Sequence, residues 1–326
     1  MADGAAASLT VAAPAKLNLF LHVTGRRPDG YHLLESLMVL IDLADTLRLS
    51  CRDDGRLVRT HSIDGVPLEL DLAYRAAHLL QQHTKTRLGV SIALEKRIPL
   101  GAGLGGGSSD AASVLLGLNR LWALDLSREE LMRLGLELGA DVPFFIFGSN
   151  AHVSGIGEIL EPMTVPRMDV LLAIPAVNVP TKAIFAAPGL KRDTPPSKCA
   201  AFAAGYGSND LQPVARASHP AIAAAAAYLE GLPAALPRGW PDSGVRMSGS
   251  GSTVFRVIAR DASAVAVAEV GAFPDSRRDS PGSRPSDPMR RGQGSQAPSA
   301  GVPASAFRVI EARVLSAHPL REFVAK

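Results

Sequence analysis

Lys16 and Asn18, two positions apart, and an aspartate in Gly139-Ala140-Asp141-Val142-Pro143 are side chains suited to chemistry. Between them lies Pro99-Leu100-Gly101-Ala102-Gly103-Leu104-Gly105-Gly106-Gly107-Ser108-Ser109-Asp110, with five glycines in the seven positions from Gly101 to Gly107. Successive backbone N–H groups in such a loop can converge on one point, and a helix beginning there adds the positive end of its dipole. Phosphate is the expected guest. A lysine and an aspartate beside a phosphate loop point to phosphoryl transfer, the lysine offsetting charge on the transferring group and the aspartate accepting a hydroxyl proton. Each residue also has a plainer use: Lys16 and Asn18 fit a solvated strand face, and Asp141 fits a helix cap.

Gly101, Gly103 and Gly106 match the dinucleotide pattern GxGxxG, but that site also needs an acid ending the next strand about 20 residues on. Asp125 has the distance and lies instead in Trp122-Ala123-Leu124-Asp125-Leu126-Ser127, a connection between two helical patterns. The Gly-Lys-Ser/Thr of a Walker loop is absent, as are the HRD and DFG signatures of protein kinases. A second glycine and serine cluster, Met247-Ser248-Gly249-Ser250-Gly251-Ser252, remains to be placed.

The elements that must position these residues follow from periodicity. Leu17, Leu19, Leu21 and Val23 alternate with Lys16, Asn18, Phe20 and His22, the pattern of a half-buried strand, which Pro28-Asp29-Gly30 ends in a turn. Further extended segments are predicted at 35–41, 46–51, 90–94, 170–177, 253–258 and 307–314. Helices are predicted at 72–82 and 220–229, after the glycine loop through 111–116, and from Ser127 onward, where Glu130 completes a capping box and Gly139 closes the helix. The stretch 274–303, rich in Pro, Gly, Ser and Arg, reads as a disordered insertion.

With 47% hydrophobic and 20% charged residues in 326, the chain has the composition of about two folded domains, divided here as 1–165 and 166–326. Cys51 and Cys199 form neither a disulfide framework nor a zinc pattern, so a reducing cytoplasm is expected. No secretory leader and no apolar run of about 18 residues is visible, so no membrane span is expected. The net charge is +3, and residues 272–302, with five Arg against three Asp, hold most of it. The near-neutral remainder speaks against nucleic acid as a partner.

Pro14-Ala15-Lys16-Leu17-Asn18-Leu19, residues 99–112 and residues 247–252 resemble the three motifs of the GHMP small-molecule kinases. Gly25-Arg26-Arg27-Pro28-Asp29-Gly30-Tyr31-His32, Gly139 to Phe144, Ser208-Asn209-Asp210-Leu211-Gln212-Pro213-Val214 and Leu315-Ser316-Ala317-His318-Pro319-Leu320 narrow the resemblance to the branch acting on CDP-methylerythritol. The resemblance implies a two-lobed α+β fold, with an N-terminal lobe like ribosomal protein S5 domain 2 and a ferredoxin-like C-terminal lobe. It implies ATP and Mg2+ as cofactors, the magnesium ligands being unknown, and phosphorylation of the 2-hydroxyl of the methylerythritol by a monomer or homodimer.

By the same resemblance Asp141 is the base and Lys16 its electrostatic partner. Asn18 and Thr181 contact substrate, and Tyr31, His32 and Phe185 hold the cytosine. Lys96 and the loop from Pro99 through Leu100, Gly101, Ala102, Gly103, Leu104, Gly105, Gly106, Gly107 and Ser108 to Ser109 bind ATP, with Ser248, Gly249, Ser250 and Gly251 as the third motif. The chain departs from the family at Asp71, where an Asn that touches adenine is common. The alternatives are a homoserine or mevalonate type of GHMP kinase, and an RNA-binding module on an S5-like fold.

Overall fold

A computed structural model of the chain describes residues 7–196, 203–233, 236–259 and 307–324. The expected insertion at 274–303 lies outside them.

β1 (Ser8–Arg26) and β2 (His32–Arg52) form a long antiparallel hairpin. Its turn uses the predicted chemistry: the Tyr31 N–H donates to Asp29 Oδ1 at 3.2 Å, and Gly30 sits at φ 92°, where a side chain would be strained. β3 (Leu57–Arg59), α1 (Leu72–Thr84), β4 (Gly89–Glu95), α2 (Gly106–Leu121), α3 (Arg128–Leu138), α4 (Val142–Phe147), β5 (Ala151–Ser154) and β6 (Ile159–Pro162) complete the first lobe. Its sheet runs β3-β4-β2-β5-β6 with β1 also on β2. Asp71 starts α1 by accepting from the Ala73 N–H at 2.9 Å, and Ser127 starts α3 by accepting from the Glu130 N–H at 3.2 Å. Leu47, Leu49 and Val90 of the sheet share one core with Leu80, Leu115 and Phe144 of the helices.

β7 (Asp169–Pro175), α5 (Thr181–Ala186), α6 (Gln212–Ser218), α7 (Pro220–Glu230), β8 (Arg246–Met247), β9 (Val254–Ile258) and β10 (Phe307–Arg313) build the second lobe. Its strands pair antiparallel in the order β10-β7-β9-β8, the arrangement of a ferredoxin-like sheet. Every residue of β7 is buried. One set, Leu171 and Ala173, packs with Ala225 and Leu229 of α7, while Val170, Leu172 and Ile174 join Leu17, Val39 and Ile41 in a core between the two sheets.

Two sequence expectations change. The predicted half-buried strand at 17–23 is buried on both sides, because its polar face lies under the glycine-rich segments. The segments at 35–41 and 46–51 are one continuous strand, β2. The chain then returns to the first lobe after β10: the Leu315 N–H donates to Leu40 O at 2.8 Å, and Leu320 enters the first core. Among the described residues no helix is long and apolar enough to cross a membrane.

Candidate active site

The floor of the site is the polar face of β1. Lys16 Nζ donates to Asn18 Oδ1 at 2.6 Å, as a two-residue strand spacing allows. The Asn18 amide nitrogen donates to Ser36 Oγ of β2 at 2.8 Å, and that hydroxyl donates to Phe20 O at 2.5 Å. Asn18 Oδ1 also accepts from the Gly249 N–H at 2.9 Å. Lys16 and Asn18 are therefore locked in place, and the solvated-face reading is excluded by their burial.

Asp141 precedes α4 in the cap position, yet its side chain makes no capping hydrogen bond. Its Oδ2 lies 3.7 Å from Lys16 Nζ, with the carboxylate 41% exposed to the cleft and the lysine only 5% exposed. One partner is held and the other is left reachable.

The two glycine clusters meet over this floor. A β-carbon on Gly103, which sits at φ 75°, would run into the carbonyl oxygens of Ser248 and Gly251. Only glycine lets the loops approach so closely. Ser248 Oγ donates to Gly103 O at 2.9 Å, the Thr253 N–H to Ala102 O at 3.1 Å, and the Lys16 N–H to Leu104 O at 3.0 Å. Asn209, from the Ser208-Asn209-Asp210 motif, holds the second cluster from behind by donating to Met247 O at 2.6 Å and Gly249 O at 2.8 Å. Gly105 then leads into α2, whose N-terminal turn faces the same region.

At the other end of the cleft stand Tyr31, 61% exposed, His32 and Phe185, with the His32 and Phe185 rings 4.8 Å apart. Burial first, then the neighbouring charges of Arg192 and Arg26, hold the His32 pKa below its usual value. Thr181 begins α5, and its hydroxyl is 2.8 Å from Ser250 Oγ, linking the two ends. Together these walls enclose about 1130 Å³, more than the roughly 300–1,000 Å³ of a typical single-ligand pocket.

The residues expected at the site divide accordingly. Gly101, Gly103, Gly105 and Ser108 line the cleft, as do Gly249, Ser250 and Gly251. Ala102 and Leu104 belong to the core, Ser109 Oγ donates to Pro14 O at 2.7 Å, and Ser248 ties loop to loop. Pro99, Leu100, Gly106 and Gly107 flank the cleft without lining it. Lys96 stands behind the loop: its ammonium donates to Asp45 at 2.5 Å and Asp110 at 2.7 Å, two carboxylates with almost no exposure. Asp71 is equally committed, since Arg59 donates to its Oδ2 at 2.7 Å while Oδ1 caps α1. Ser36, Asp45, Asn178 and Arg192 were not singled out by sequence. Ser36 acts through Asn18, Asp45 through Lys96 and Arg192 through His32, while Asn178 lines the cleft beside Gly101, and no local pattern of residue types marks any of them.

The chain is similar to known proteins over most of its length. The family model for the GHMP kinases N terminal domain matches residues 71–149. The 4-diphosphocytidyl-2-C-methyl-D-erythritol kinase of Thiobacillus denitrificans is 51% identical over 81% of this chain and 91% of its own. That of Ralstonia pickettii is 55% identical over 74% of this chain and 83% of its own. A crystal structure of 4-(cytidine 5'-diphospho)-2C-methyl-D-erythritol kinase superposes with a TM-score of 0.63 at 35% identity, covering 77% of this chain and 90% of that one. Identity of this level over nearly the whole length of such relatives means that the chain belongs to the 4-diphosphocytidyl-2-C-methyl-D-erythritol kinases, within the GHMP kinases.

Proposed function

We propose that this chain transfers the γ-phosphoryl group of ATP to the 2-hydroxyl of 4-diphosphocytidyl-2-C-methyl-D-erythritol, releasing ADP. The observation that carries the reading is the Lys16–Asn18–Asp141 group beneath two touching glycine loops, at one end of a cleft whose other end is walled by aromatic rings. The loop from Gly101 to Ser108, with the N-terminus of α2, receives the ATP phosphates through backbone N–H groups. Lys96 serves that role indirectly, by fastening the base of the loop to β2.

In the transfer step the substrate hydroxyl gives its proton to the Asp141 carboxylate as its oxygen bonds to the γ-phosphorus. The bond from that phosphorus to the β,γ-bridging oxygen breaks. Lys16, held by Asn18, offsets charge on the transferring group. Tyr31 and Phe185 flank the cytosine and His32 meets its edge, while Thr181 contacts the phosphate portion of the substrate.

Among the described residues no three His, Cys, Asp or Glu side chains form a metal cage. Asp141 and Ser108 offer oxygen atoms in the cleft and would be the residues to hold Mg2+, which would supply positive charge against the phosphates. The protein acts on small molecules in a cytoplasmic setting, without nucleic acid or membrane as partner.

The test is ATP consumption with the cytidyl-linked methylerythritol, followed by locating the new phosphate on its tertiary alcohol. Turnover of homoserine or mevalonate in its place would overturn the substrate assignment.

A further inference from the structure

Arg192 belongs to no chemical motif, yet its guanidinium contacts gather at the aromatic end of the cleft. Nε donates to His32 Nε2 at 3.2 Å, and Nη2 donates to the carbonyl oxygens of Phe185 and Ala187, each at 2.9 Å. Nη1 donates to Leu190 O at 3.1 Å, which fixes the segment carrying the arginine itself. One planar side chain thus braces two aromatic walls that are 4.8 Å apart.

The chemistry of this contact is one-directional. A guanidinium only donates, so the imidazole nitrogen that receives its bond must carry the lone pair. The single proton of the neutral ring is then on Nδ1, which makes no hydrogen bond to any described residue. Burial, with Arg192 and Arg26, supports the neutral form. We propose that Arg192 is a positioning residue that fixes His32 as the Nδ1–H tautomer and so sets the site to read cytosine rather than uracil.

This rests on the reading above, that His32 meets the edge of the nucleobase. A fixed N–H donor matches the N3 acceptor of cytosine. Uracil carries N3–H at that position, so two donors would face each other and neither would be satisfied. Where a site is built around one hydrogen-bonding pattern, the analogue with the opposite pattern is rejected more strongly than shape alone would achieve. Without Arg192 the ring can move its proton to Nε2, leaving Nδ1 to accept from uracil.

The test combines a spectroscopic and a kinetic readout. In the full-length protein, nitrogen-15 NMR of the His32 ring, assigned with His32→Asn, is expected to show Nδ1 protonated and Nε2 bare. In Arg192→Met the proton should shift toward Nε2. The preference in kcat/KM for the cytidyl substrate over its uridyl analogue should fall roughly 10- to 100-fold, through KM for the cytidyl substrate and not through KM for ATP. Arg192→Lys, which keeps a donor, should retain the tautomer and part of the preference.

An Nε2-protonated His32 in the wild type would overturn the proposal. So would an unchanged tautomer and base preference in Arg192→Met, or equal damage to both KM values. If Arg192→Met does not fold, the wild-type resonance and Arg192→Lys still decide. Failure of the wild type to phosphorylate the cytidyl substrate would reject the kinase reading while leaving the tautomer measurement to stand on its own.

Discussion

Asp141→Asn removes the charge and basicity of one carboxylate while keeping its shape, so it separates chemistry from architecture. Because the side chain caps no backbone N–H, the melting temperature and the KM for ATP are expected to change little. Turnover should fall roughly 10²–10⁴-fold, the range for loss of a positioned general base. Steady-state kinetics beside a thermal melt checks this, and wild-type turnover would end the assignment. Taken in isolation the two uses of Asp141 are level in the sequence, because a cap and a base look alike; the family resemblance favours the base, and the 3.7 Å approach to Lys16 supports it. The pairing of Lys16 with Asn18 was legible, since two-residue spacing on a strand suffices. Arg192 was not, because three of its contacts are to backbone carbonyls, which leave no mark on residue type.

At the scale of elements, glycine contacts and a buried charge cluster hold the loops against the sheet. Gly103→Ala would push a methyl group into the backbone of the second glycine cluster at a φ unsuited to it. A loss of about 1–3 kcal/mol is expected from overpacking, with ATP affinity falling as the loops part. Denaturant unfolding and nucleotide titration measure the two effects, and an unchanged ATP affinity would show that the loop contact is dispensable.

Lys96 joins Asp45 of β2 to Asp110 of α2. Burial first, and the neighbouring Asp45 charge with it, raise the Asp110 carboxyl to about 7 against the opposing pull of Lys96. Its Oδ1 has no hydrogen-bond partner, so the charged form is poorly served. An acid with a raised folded-state pKa binds more protons folded than unfolded, so stability falls as pH rises from about 3.8 to about 7. Asp110→Asn should therefore gain stability over wild type across that window and hold the gain above it. Melts from pH 4 to 8 test this, and a gain independent of pH would refute it. The same cluster explains part of why β2 reads as two segments: exposed Asp42 and buried Asp45, the latter paired with Lys96, interrupt an apolar pattern, though the strand continues through them. Periodicity records which side chains avoid water, and a charge buried with a distant partner breaks that record.

At the scale of the molecule, the two lobes were legible through the resemblance to the GHMP kinases, since the order of strand, glycine loop and helix by itself points only to an anion site, while the path of the C-terminus was not legible. After β10 the chain crosses back to the first lobe, where the His318 N–H donates to Gly148 O at 2.9 Å and His318 Nδ1 accepts from the Leu320 N–H at 3.0 Å. Asn150 bridges the same junction, accepting from the Leu40 N–H and donating to Leu315 O, both at 2.9 Å. The two bonds of Asn150 join positions 110 and 165 residues apart, which no local pattern announces. They also make the lobes interdependent, because the tail that follows the second sheet closes the core of the first.

His318 gives this junction a pH response of its own. Burial, with Arg128 nearby, lowers its pKa to about 4 from 6.5, so the folded tail holds the ring neutral while the released tail would protonate it. The contribution of His318 is fully present above about 6.5 and is lost as pH falls toward 4. This slope opposes that of Asp110, so a single wild-type stability curve mixes the two. Local exchange separates them. Amide protection at residues 315–324, corrected for intrinsic rates, is expected to weaken between pH 7 and pH 5 in the wild type. In His318→Asn, which keeps an acceptor near the Nδ1 position but cannot titrate, protection should lose its dependence on pH. Equal slopes in the two proteins would show that the tail is held by its apolar contacts alone and that His318 is a bystander at the junction.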